Sequence, residues 1–513
     1  GDTLLLSGVS DTVHTLDADT PAGKGFNVLS ASRDERSAID TAGGSLLLDL
    51  SAGGLVQLRG VDVRGGTEGT AVSVAGSATA DALFVVDDVH FYGNVSVAPS
   101  RTQPPALALA TVPNGHEVRY TITGSRFTNN RHVGAGAGAL AFVDGTDLTV
   151  HNSVFDGNVA EQDTGGAIWI NPTRRADGCR VTVTGSEFYS NVAETGGAML
   201  ASRDCNLTVR GTRVGARERG NLIAAGEGFV RGVLFMLTDD TPVTLHVQNS
   251  EFAYNTLNPA LVSGDGAAVR VTNGAVGKGF VTALFEDSEF HHNEGWSGPA
   301  IHAGGETVSV VRRCRFAHNV ARGWAGAYFA SGTRDSPPFG SHTIEHSLFV
   351  DNRSDRAGGA VRVAPYTSLH VVASTFVNNA AADTGNHIDA RTSAIATLST
   401  VTNSLFWSDE DNGLFDISAE GSASFGSITN SAHRAGAIGD FGAQVTNSVL
   451  LERSPVMADF QLRPTSACID AGAALPAITP PVDAVGRAVP VGRRPDIGAF
   501  EFWRHPAPGT GRE

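Results

Sequence analysis

The stretch that decides the fold is Val181-Thr-Val-Thr-Gly-Ser-Glu-Phe188-Tyr-Ser-Asn191-Val-Ala-Glu-Thr-Gly196-Gly-Ala-Met199. It opens with apolar and β-branched residues alternating with polar ones, the period of a half-buried strand. Glycine and asparagine separate this run from the next, which argues turns. Nothing in it has the 3.6-residue period of a helix.

The same unit recurs along the chain. Phe followed three residues later by Asn occurs at Phe91, Phe127, Phe155, Phe188, Phe252, Phe290, Phe316, Phe349 and Phe376; Phe406 has Asp409 where the Asn should be. Successive Phe residues lie 36, 28, 33, 64, 38, 26, 33, 27 and 30 apart. The long interval is close to two repeats, so a degenerate coil is expected near Val214 to Asn221. Small-residue steps follow each Asn, as in Gly165-Gly-Ala-Ile168, Gly298-Pro-Ala-Ile301 and Gly358-Gly-Ala-Val361. A repeat of this length with two or three short strands per unit predicts an all-β, right-handed, single-stranded parallel β-helix. About 13 to 15 coils, stacked about 4.8 Å apart, would make a rod roughly 65–70 Å long. Phe should stack inside it. Tyr189, beside Phe188, should be exposed. Asn should occupy a turn, where it tolerates left-handed backbone.

Leu46-Leu-Leu-Asp-Leu50 and Leu55-Val-Gln-Leu58 read as early coils. The predicted layout is an N-terminal cap with first coils (1–85), the repeat region (86–465), a C-terminal cap (466–503) and a tail (504–513). Such a cap would block the open sheet edge, which otherwise invites other chains.

The formal net charge is −16, which disfavours nucleic acid as a partner. No apolar run reaches 18 residues, so no membrane-spanning helix is expected.

The Phe-x-x-Asn and Gly-Gly-Ala-Ile pattern over roughly 85–410 resembles the repeats of chlamydial polymorphic outer-membrane proteins and of bacterial β-helix proteins. Ser466-Ala-Cys468-Ile-Asp470-Ala-Gly472, Asp483-Ala-Val-Gly486-Arg487 and Asp496-Ile-Gly-Ala-Phe-Glu501 resemble the choice-of-anchor Q domain. These resemblances imply a secreted or bacterial cell-surface protein. They leave two functions open: an adhesive or structural rod that contacts an extracellular glycan or a surface protein, or a polysaccharide lyase or glycoside hydrolase.

Candidate sites follow from register. Trp296 and Trp324, 28 residues apart, should share one turn of adjacent coils. There they form a sugar-binding platform or fold back to shield the turn, with Arg322 near enough to meet an acidic glycan. His292, His318 and Asp351 should stack as a polar column, one that is simply exposed or one that holds a transition metal. Asp409-Glu410-Asp411 is the densest acidic run, a solvated loop or part of a catalytic or calcium site. No nucleophile motif is present, and the residues imply no cofactor; calcium would enter only with the lyase reading. Cys179-Arg-Val-Thr-Val183 and Cys205-Asn-Leu-Thr-Val209 align one coil apart, which places the two Cα atoms near 5 Å and predicts a disulfide. Cys314 and Cys468 should be free.

Overall fold

The computed structural model describes residues 2–6, 13–14, 26–30, 36–41, 45–50, 53–67, 69–171, 179–225, 231–239, 241–260, 264–273, 279–332, 340–391, 399–410, 412–420, 425–439, 444–474 and 482–503. Asp411 and the expected tail at 504–513 lie outside them. The turn holding the quoted stretch has four strands: Arg180–Thr184, Glu187–Tyr189, Val192–Ala193 and Leu200–Arg203. Each pairs in parallel with its equivalents in the coils before and after. The fold is a right-handed parallel β-solenoid, and the described residues contain no helix.

In chain order the four strands build sheets of 16, 16, 10 and 13 members. The solenoid has about 11 turns, against the 13 to 15 coils expected, because rungs at both ends lack strands of the third or fourth sheet. The strand Ala82–Asp87 spans the boundary drawn at 85, so the first coils and the repeat region are one continuous solenoid.

The phenylalanines stack as the pattern requires. Phe91, Phe127, Phe155 and Phe188 are in register and fully buried, as are Phe252 to Phe406. Neighbouring rings lie near parallel at 4.5 to 5.3 Å. Val214 fills the column in the degenerate coil, between Phe188 and Phe252.

The repeated Asn does different work from the expected turn. It is buried, and its backbone is not left-handed; that conformation falls on the residue before it, such as Ser190 (φ 52°) or Asn129 (φ 54°). The Asn side chains instead form a ladder down the interior. Asn191 Nδ2 donates to Asn221 Oδ1 at 3.0 Å and to the Phe155 carbonyl at 3.0 Å, and its backbone N–H also donates to Asn221 Oδ1. The pattern runs from Asn94 to Asn379. It satisfies amides that would each cost about 1–3 kcal/mol if buried alone. A second ladder, absent from the sequence reading, lies two residues before each Phe. Ser125 N–H donates to Ser153 Oγ, Ser153 N–H to Ser186 Oγ, and Cys314 occupies one of its rungs.

Tyr189 points away from the core but is only 7% exposed, contrary to expectation. The Arg219 guanidinium lies over its ring, 4.2 Å from the centroid.

The C-terminal segment also departs from expectation. It lies along the side of the solenoid, against the outer face of the second sheet. Val456, Leu462, Cys468 and Ile497 pack with Ala317, Val350, Val377 and Trp407. Outward positions of that sheet explain the choice of face. Arg213, Glu251, Glu289 and Arg315 give way to Leu348, Thr375 and Leu405 in the same register, so the later coils offer an apolar stripe to cover. The last rungs stay exposed, with Val445 at 43% and Leu450 at 62%. The segment therefore clasps the wall and leaves the end of the rod uncovered by any described residue.

Candidate ligand cleft on the fourth sheet

The outer face of the fourth sheet carries one column of aligned side chains: Ala141, Trp169, Ala201, Phe235, Arg270, His302, Phe329, Arg362 and Asp389. The glycine pair Gly165-Gly166 seats the strand that carries Trp169. A Cβ on Gly165 (φ 81°) would come within 2.8 Å of the Trp169 Cβ, and one on Gly166 within 2.6 Å of the Val192 carbonyl oxygen.

At the upper part of this column a cleft of about 330 Å³ opens. That volume falls at the lower end of the range for small-ligand sites. Trp169, Ala201 and Phe235 form its floor. Three arginines rim it. Arg101 is held by Asp163 (Nε–Oδ2 2.5 Å, Nη2–Oδ1 3.1 Å), and Arg203 by Asp239 (Nε–Oδ2 2.5 Å). Arg231 lies over the Phe235 ring, 4.7 Å from its centroid. Burial pulls the Arg231 guanidinium below the usual arginine range.

Further down the column the buried cations are matched by carboxylates. Asp265 sits 3.1 Å from Arg270 and 3.2 Å from His302. Burial alone would raise the Asp265 carboxyl, but His302 and Arg270 outweigh it and hold it low. Burial pushes His302 itself down to about 4. Arg362 lies 3.4 Å from Asp389.

The expected site residues fall elsewhere. Trp296 and Trp324 are on adjacent coils, whose backbones bond through Gly323 N–H to the Trp296 carbonyl. Both are half-buried. The Trp296 indole packs on Gly323, and Trp324 lies beneath Arg356 and Arg362 at 5.2 and 4.7 Å. Arg322 bonds the carbonyls of Leu257, Asn258 and Pro259 and sits 3.7 Å from Glu294, which commits it to bracing a loop. His292 and His318 stack at 4.9 Å, and His318 is 3.8 Å from Asp351. All three take the left-handed turn position (φ 51–54°). The described residues hold no group of three side chains arranged for a metal. Asp409 accepts from Trp407 Nε1 at 2.7 Å and Asn378 Nδ2 at 2.9 Å, which draws it below the usual carboxylate range. Cys179 and Cys205 are joined by a disulfide, Cα–Cα 4.8 Å, while Cys314 and Cys468 are buried free thiols.

The acidic residues of the C-terminal motifs face their own backbone. Asp483 accepts from the N–H groups of Val485, Arg487 and Glu501; Asp496 from Asp470 and Phe502; Glu501 from Val491 and Asp496. They hold the clasp together.

Sequence reasoning missed Arg101, Asp163, Trp169, Arg203, Arg231 and Phe235. Trp169 and Phe235 were within reach, because each follows the first apolar residue of its fourth-sheet strand. Arg101 and Arg231 sit in connections of irregular length, where register cannot be counted. No family model matches this chain, and no curated protein shows significant sequence similarity to it.

Proposed function

We propose that this protein is a secreted or cell-surface adhesive rod that holds an extracellular glycan in the fourth-sheet cleft. The observation that carries the reading is the combination of an aromatic floor, Trp169 and Phe235, with a rim of guanidiniums and hydrogen-bonding side chains. Aromatic faces suit the apolar faces of sugar rings, and the rim fixes hydroxyl or acidic groups. The Cys179–Cys205 bridge supports an oxidising, extracellular compartment. The resemblance of the repeats and of the C-terminal motifs to surface-protein families points the same way.

The cleft is better equipped to grip than to cut. Glycoside hydrolysis asks for two carboxyl groups, one of them kept protonated. Asp163 and Asp239 are each engaged by an arginine, so neither is a free carboxyl set to act on a glycosidic bond. A glycan array probed with the wild type and with Trp169→Leu tests the reading. Saccharides retained by the wild type and lost by a folded Trp169→Leu variant are expected. Equal retention by both would remove the cleft from the function, and release of unsaturated or reducing products on incubation would favour the lyase or hydrolase alternative.

A further inference from the structure

The fourth-sheet face carries several arginines, and it treats one of them differently. Arg270 has Asp265 at 3.1 Å, and Arg362 has Asp389 at 3.4 Å. Within the cleft, Arg101 has Asp163 and Arg203 has Asp239. Arg231 has no carboxylate within ion-pairing distance among the described residues; its guanidinium rests on the Phe235 ring and feels Asp163 and Asp239 only at longer range.

A ring face compensates a desolvated cation less fully than a paired carboxylate does. The ring contact therefore leaves part of the desolvation of this cation uncompensated. The local charge points in the same direction. Three guanidiniums against two carboxylates leave the cleft positive in a chain whose formal net charge is −16. The two flanking ion pairs also hold Arg101 and Arg203 in place, so a ligand entering between them meets Arg231 as the cation still open to a bidentate partner. A planar guanidinium fork matches the oxyanion of a carboxylate or a sulfate ester.

We propose that Arg231 is the anchor for an oxyanion carried by the ligand, so that the cleft selects acidic saccharides, uronates or sulfated sugars, over neutral ones. The saccharide part rests on the function proposed above; the anion part rests on Arg231 and its surroundings.

The test is titration calorimetry at low ionic strength on the whole chain, with three probes: inorganic sulfate, acidic oligosaccharides (oligouronates and sulfated oligosaccharides) and neutral oligosaccharides of matched length. The proteins are the wild type, Arg231→Gln and Arg231→Lys, with thermal melts to confirm that each is folded. The expected result is acidic oligosaccharides bound at least tenfold more tightly than neutral ones, with the preference lost in Arg231→Gln and partly kept in Arg231→Lys. If sulfate binds the wild type but not Arg231→Gln while no saccharide binds, the anion site stands and the glycan function falls. If neutral and acidic saccharides bind alike and Arg231→Gln changes neither, the glycan function stands and the anchor is overturned. Failure of both sulfate and acidic saccharides to bind the wild type also overturns it.

Discussion

The backbone N–H of Ala499 donates to Thr375 Oγ at 2.8 Å, joining residues 124 apart in the chain. One residue earlier, Gly498 N–H bonds the Asn403 carbonyl, and Asn403 closes both sides of its amide on Ala473. These bonds fasten the clasp to the wall of the solenoid, and they make its attachment measurable.

The clasp should loosen as pH rises. Burial lifts Glu501 from its ordinary 4.5 to about 7, even though Val491 and Asp496 donate to it, and Asp496 is also raised, burial being the largest cause. A carboxyl with a raised folded pKa binds more protons folded than unfolded, so its contribution is full below pH 4.5 and is lost as pH climbs through about 7. Trp407, which is packed beneath the clasp, should report the change by fluorescence. Glu501→Gln should flatten the profile; an unchanged pH dependence in that variant would assign the effect elsewhere.

Core and wall positions should separate in denaturation. Phe188→Ala removes a fully buried ring and should cost about 3–5 kcal/mol. Tyr189→Ala loses an outward ring and its Arg219 contact, and its cost should be clearly smaller though not zero. Equal losses would contradict the assigned faces.

The asparagine ladder predicts a penalty in the coil where Val214 replaces the Phe. Asn221→Leu takes the acceptor from the Asn191 backbone N–H and from one Asn191 Nδ2 hydrogen, and the side-chain donor from the Phe188 carbonyl. The variant should lose about 1–3 kcal/mol for each stranded group. Hydrogen exchange should quicken first around Asn191 and Asn255.

The cysteines should behave as two classes. The Cys179–Cys205 bridge spans 26 residues, and the loop-entropy relation gives about 3.5 kcal/mol for it. Thiol titration of the denatured, unreduced chain should find two free thiols. Cys314→Ser should be nearly neutral, because the neighbouring rung of that ladder is Ser347. A large loss there would mean that the thiol packs in a way a hydroxyl cannot.

What the sequence made readable was whatever repeats. Phe188 and its equivalents, the missing rung at Val214 and Asn221, and the Cys179–Cys205 pairing all follow from counting one coil. Positions decided by contacts between distant turns were not readable this way. Tyr189 is covered by Arg219, thirty residues on, and the asparagine role depends on a neighbour in the next coil. The clasp could have been anticipated from one local clue, the change from Arg315 to Leu348 at a single outward position. Arg231 has no such clue, since what marks it is that no carboxylate among the described residues pairs with it.

The asparagine ladder has a polarity. Every Nδ2 in it donates toward the C-terminal end, from Asn94 through Asn352 to Asn379. Below Asn379 the next acceptor is Nδ1 of the fully buried His387, at 3.1 Å. An amide nitrogen can only donate, so this imidazole must keep its proton on Nε2, on the side of Ser408 and Asp416. The head-to-tail amide dipoles thus run as one oriented wire down the rod, and they dictate the tautomer of a ring nine rungs from where the wire begins.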